Sequence, residues 1–196
     1  MSNTSAKLSV LVGRNFACVK VAGRANFMSS PDFKTLISGL KQKGYNRFIL
    51  ELSECVLMDS TFLGMLAGFG LKASPGATDG KCDIELANPN PRVAELLDNL
   101  GVMPLFKITA GPVQLPANIV ASAPELASPT QLEITRTSLE AHQTLMAANP
   151  DNVARFKDVA QFLAEDLKNL ESLFHTEDKT PKNKGDLKGP DGQKTP

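Results

Sequence analysis

Apolar positions fall in short, dense runs over the first half of the chain and in one long stripe near its end. Leu8–Val12 and Phe16–Val21 are strand-like and separated by Gly13-Arg14-Asn15, a turn that predicts a hairpin. In the second run Ala17, Val19 and Val21 alternate with Phe16, Cys18 and Lys20, so one face is more fully apolar. Ser30-Pro31-Asp32 predicts a helix start, with a capping hydroxyl, proline in the first turn and an acid behind it. Phe33, Leu36, Ile37 and Leu40 follow at helical spacing, and Lys41, Lys43 and Gly44 predict the stop. Tyr45–Leu52 reads as a third strand, and its continuous Phe48-Ile49-Leu50 predicts burial on both faces. A helix between two strands predicts a parallel crossover.

Met58-Asp59-Ser60-Thr61-Phe62-Leu63-Gly64-Met65-Leu66 comes next and opens an apolar helix reaching about Leu71. Asp59 is a good N-cap, which puts Ser60 and Thr61 in the first turn. The first N–H groups of a helix lack internal partners and its dipole there favours negative charge, so a phosphate on a hydroxyl at this position would find donors nearby. On a helical wheel Phe62, Leu66 and Phe69 form one stripe flanked by Leu63 and Met65, while Gly64 and Gly68 fall opposite. Each glycine costs a helix about 1 kcal/mol against alanine. That cost predicts close approach of another backbone, from a partner or from the chain's own sheet or tail. Residues 73–81 predict a loop, Cys82–Ala87 a strand, Asn88–Gly101 a capped helix and Leu105–Ile108 a short last strand. The predicted order is β-β-α-β-α-β-α-β.

Beyond this, residues 110–129 are rich in Pro and Ala without periodicity and predict a linker. Thr130–Ala148 and Asp151–Phe174 predict two helices divided by Asn149-Pro150. The second carries a stripe of Val153, Phe156, Val159 or Ala160, Leu163, Leu167, Leu170 and Phe174. Such a stripe needs burial, either by folding back on the first domain or by pairing with a second chain as a homodimer. Residues 176–196 are almost devoid of apolar side chains and predict disorder. The organisation expected is a domain over 1–110, a linker over 111–129, a helical extension over 130–175 and a disordered tail over 176–196.

Composition narrows the function. Zero formal net charge argues against a nucleic-acid binder or a general binder of anionic membranes. No apolar run is long enough to span a membrane, and the first residues lack a signal-peptide core, so a cytoplasmic protein is expected. Three cysteines without a CxxC spacing, Cys18, Cys55 and Cys82, suit buried reduced thiols. Walker A, GxGxxG, GxSxG and metal-ligand spacings are all missing, so neither a cofactor nor a metal is expected. His142 and His175 lie far in sequence from any Ser or Cys suited to a triad, and a carboxylate adjacent to Ser60 in sequence does not supply a histidine relay. The protein is therefore expected not to be an enzyme.

The stretch Asp59-Ser60-Thr61-x-Leu63-Gly64, after a strand and before an apolar helix, resembles the STAS domain of bacterial anti-sigma factor antagonists. The family usually reads Asp-Ser-(Ser/Thr/Ala)-Gly-Leu-Gly, so Phe62 departs from a small residue. Over roughly residues 5–110 the resemblance implies an α/β fold: a small mixed β-sheet with helices packed on one face, here with a C-terminal helical extension. It implies Ser60 as phosphoacceptor, with Thr61 as second choice. Gly23-Arg24-Ala25-Asn26 resembles the family's Gly-x-(Leu/Ala)-(Asp/Asn) stretch, placing Asn26 near the site. Partner contacts implied or expected are Asn26, Asp59, Ser60, Thr61, Phe62, Gly64, Met65 and Gly68, while Arg92 near a helix start is a further candidate for a partner or phosphate contact. The implied partners are a serine kinase that doubles as an anti-sigma factor, and a phosphatase, in regulation of transcription. The alternative is a STAS structural subunit of an ABC-type transporter or lipid-trafficking complex that needs no phosphorylation.

Overall fold

A computed structural model describes residues 5–73, 83–113, 120–122 and 128–177. The hairpin forms as expected: β1 (Lys7–Val12) pairs antiparallel with β2 (Ala17–Ala25), with Val12 opposite Ala17. β2 runs on through Gly23-Arg24-Ala25, four residues past the predicted end at Val21. The reason is a partner absent from the predicted order: β4 (Cys55–Met58), a short strand with a register shift, lies parallel to that end of β2. Its length and its place directly before a helix hid it.

Helix α1 (Ser30–Gln42) crosses from β2 to β3 (Arg47–Glu51), which pairs parallel to β2. After β4 comes α2 (Ser60–Ala73), then β5 (Asp83–Ala87), parallel to β3. Residues 74–82 lie outside the described ones, and with them most of the predicted 73–81 loop and Cys82. Asn90 caps α3 (Pro91–Asn99) by accepting from the Val93 N–H, and Gly101 turns the chain away at φ +67°. The predicted last strand begins later than expected. Met103–Leu105 form a 3-10 turn, and β6 (Lys107–Thr109) then pairs with β5.

The sheet order is β6-β5-β3-β2-β1-β7, with β4 beside β2. β7 (Val120–Ser122) corrects the reading of 110–129 as plain linker, since it pairs antiparallel with β1. Edge pairing made it, and no alternation announced it. The main core joins Val10, Val19, Val21, Phe48, Leu50, Ile84 and Leu86 of the sheet to Phe33, Ile37, Phe62, Leu66 and Leu97 of the helices. Cys18 and Ile49 point the other way into a small cluster with Phe16 and Ala87. Burial pushes the Cys18 and Cys55 thiols up to about 11.

The C-terminal helices fold back on the domain. Thr130 and Glu133 form a reciprocal capping box at the start of α4 (Gln131–Ala148). Asn149 then caps a 3-10 turn, Pro150–Asn152, that leads into α5 (Val153–Glu177). α4 packs along α2 and is itself backed by α5. Asn152 is fully buried and staples the corner, donating to the Leu100 and Leu145 carbonyls at 2.9 and 3.0 Å. Arg155 donates to the Asn99 carbonyl at 3.0 Å, and Lys34 on α1 pairs with Glu140 on α4. The open choice between Val159 and Ala160 resolves to Ala160, which is buried, while Val153 and Val159 are exposed. Among the described residues, no helix is long and apolar enough to cross a membrane.

Candidate functional site

The site forms where β2 and β4 end side by side. Ala25 pairs with Met58, and the Asp59 N–H donates to the Ala25 carbonyl at 3.0 Å. The chain then turns into α2, whose first turn is organised by the Asp59 carboxylate. One oxygen accepts from the Phe62 N–H at 2.9 Å, the N-cap bond expected from sequence. The other accepts from the Phe27 N–H at 2.7 Å and ties the loop after β2 to the helix start. Burial raises the Asp59 carboxyl above its ordinary value, against the pull of the N–H groups of Phe62, Phe27 and Thr61 and of nearby His142. Asp59 is thus a structural acceptor, with each oxygen engaged by a backbone N–H.

Ser60 follows, half-buried, and its hydroxyl lies 3.0 Å from His142 Nε2 on α4. His142 is buried, its Nδ1 is 2.7 Å from the Ser138 carbonyl, and its ring rests on Phe156 with centroids 5.0 Å apart. A carbonyl only accepts, so Nδ1 carries the proton and donates. In the neutral ring Nε2 is then an acceptor, and Ser60 donates to it. Sequence distance made this histidine look irrelevant to any serine, yet the fold brings the pair together across 82 positions. It is not a hydrolase triad, because a backbone carbonyl occupies the place of the orienting carboxylate.

The remaining expected contact residues divide by depth. Phe62 is fully buried, its ring 4.9 Å from that of Phe33, so it points into the core and does not cover Ser60. Thr61 and Met65 are buried as well. Gly64 lies against α4: a Cβ built there would come 2.3 Å from the Ala141 carbonyl oxygen. Gly68 faces Thr144 in the same seam, where a Cβ would sit at ordinary contact distance. The smooth side of α2 is therefore occupied by the chain's own tail. Asn26 is near the site but bonded within its own loop: its side chain accepts from the Met28 N–H, and the link to Asp59 runs through Phe27. Arg92 is exposed and lines a groove with Leu57, Met58 and Leu96.

Sequence reasoning missed the exposed apolar side chains of the segments that lead into the site. Phe27, Met28 and Val56 are 42%, 39% and 57% exposed on the two segments that lead into the site. Large apolar side chains in predicted loops and a short strand give no periodic signal. Among the described residues, no cluster of His, Cys, Asp and Glu could hold a metal ion.

The model of the STAS domain family matches residues 8–113. Two solved structures are similar in part. One is a candidate anti-sigma factor antagonist from Thermotoga maritima, at 22% identity over 51% of this chain and 83% of that one, with a TM-score of 0.45. The other is the anti-sigma factor antagonist SpoIIAA in its unphosphorylated form, at 19% identity over 55% of this chain and 88% of that one, again with a TM-score of 0.45. No curated protein matches the chain.

Proposed function

The chain belongs to the STAS domain family, and from that premise we propose that it is a non-enzymatic phospho-switch of the anti-sigma factor antagonist kind. In this reading the unmodified protein binds, in the cytoplasm, a serine kinase that also acts as an anti-sigma factor. Phosphorylation of Ser60 releases the partner, and a phosphatase resets the protein. The observation that carries the reading is the division of labour at the start of α2. Asp59 caps the helix with one oxygen and ties down the loop after β2 with the other, so the helix start does not need the Ser60 hydroxyl, whose partner is His142 of the C-terminal arm. A phosphate there adds nearly two negative charges at a helix N-terminus, where the unpaired N–H groups and the helix dipole of α2 favour them. A partner seated on the exposed Phe27 and Met28, in the loop that Asp59 ties to the helix start, meets those charges as desolvation cost and repulsion.

Titration calorimetry against the cognate kinase tests the switch. Ser60→Asp is expected to weaken binding, and Ser60→Ala to preserve it while blocking release by ATP. Equal affinity of Ser60→Asp and the parent protein would refute the switch.

One observation favours a second reading. His142 already occupies the Ser60 hydroxyl, as suits a docking subunit that is never phosphorylated. Co-purification with an ABC-type ATPase, without phosphate on Ser60, would select it.

A further inference from the structure

We infer that α4 is an internal ligand of the Ser60 face, latched by the Ser60–His142 hydrogen bond and released when Ser60 is phosphorylated. The trigger rests on the phospho-switch reading above, whereas the latch rests on geometry alone. Three features make α4 a removable cover. The packing is tight at one point, where a Cβ added at Gly64 would come 2.3 Å from the Ala141 carbonyl oxygen, so any side chain larger than glycine's displaces α4. The seam is incompletely sealed: a pocket of about 150 Å³ runs between α1, α2 and α4, lined by Lys34, Met65, Gly68, Phe69, Thr137 and Thr144. Finally, the buried side chains of α4 include Thr137, Ser138 and His142 beside Ile134, Ala141 and Leu145. A helix that buries so many polar groups gains less from docking than one that buries leucine throughout.

The latch fails on phosphorylation for a chemical reason. The esterified Ser60 oxygen has lost its proton, so it has nothing to donate to Nε2. The 3.0 Å between the two atoms is the length of the hydrogen bond itself and leaves no space for phosphorus and its oxygens. If the phosphate instead swings toward solvent, His142 is left as a buried acceptor without its donor. Its ring does not adjust freely, since Ser138 holds Nδ1 and Phe156 lies against one face. Lifting α4 uncovers Gly64, Met65 and Gly68, so the two states of Ser60 present two different surfaces.

Hydrogen–deuterium exchange on the full chain tests this, comparing the parent protein with protein carrying phosphoserine at position 60. Amides of Gln131–Ala148 are expected to exchange about tenfold faster or more in the phosphoprotein, with those of β2, β3 and β5 unchanged. Gly64→Ala, which forces the Ala141 carbonyl away, is expected to give the same pattern without phosphate. Protection of α4 that stays the same or rises on phosphorylation would overturn the inference, as a phosphate paired to a protonated His142 would produce. If Gly64→Ala opens α4 and phosphoserine does not, the cover exists but Ser60 does not control it, and the inference is again wrong. Release of α4 by encoded phosphoserine, with no Ser60 phosphate in the native cells, would uphold the coupling and remove only the phospho-switch reading.

Discussion

The α/β domain and the C-terminal arm are both built from amphipathic elements, but they bury different things. The domain interlocks Phe33, Phe48, Phe62, Leu50, Leu66 and Leu86, all fully buried, between one sheet face and its helices. The arm approaches that domain with Ala141 against a glycine and with hydroxyls and an imidazole beside Leu145. One region is held by many large apolar volumes, while the other adds Leu145 and Ala141 to that core and is otherwise held by close backbone contact, a buried asparagine staple and a latch. The difference suits a permanent scaffold carrying a detachable cover over Ser60.

The largest expected effect belongs to the scaffold. Phe62→Ala should cost about 3–5 kcal/mol of global stability in denaturant titrations, because the ring has no exposed side to relax into. A loss below about 1 kcal/mol would show that Phe62 faces outward, as the sequence pattern left open. Leu145→Ala should cost about 2–5 kcal/mol, but chiefly as faster amide exchange in α4 and α5 with the sheet still protected. If the sheet loosens equally, arm and scaffold are one unit and the contrast fails.

Acid should separate the two regions more gently. Hydrogen bonds from the Thr130 backbone and hydroxyl hold the Glu133 carboxyl below its ordinary value of 4.5. Its capping contribution is therefore present above that value and lost as pH falls through the lower folded one. Asp59 has the opposite sign: burial raises it, so its ionised form costs stability near neutrality and acid relieves the cost. Below about pH 4.5, α4 exchange should rise as the Glu133 cap is lost, and Thr130→Ala should remove that acid dependence. The smallest effect is chemical: the raised, buried thiols of Cys18 and Cys55 should resist alkylation near pH 8 in the native protein and react once it is unfolded.

Local signals made most of the scaffold legible. Turn chemistry at Gly13-Arg14-Asn15, the Ser-Pro-Asp helix start and the Asn90-Pro91 start each name an element within a few residues. β4 and β7 were not legible, because strands of four and three residues exist through the neighbour they pair with. At the site, the Asp59 cap could be read from sequence because capping is local. His142 could not, because which surface an amphipathic helix covers depends on tertiary packing. A partial signal was available: Gly64 and Gly68 on one side of α2 announced a close backbone neighbour, and α4 is that neighbour.

The most direct test of the account is phosphosite mapping by tandem mass spectrometry on the protein isolated from its own cells. The account expects phosphate on Ser60, in a fraction that changes with growth conditions, and little on Thr61, whose side chain is buried. Ser60 found unmodified under every condition, with the protein held in a stable complex, would contradict it.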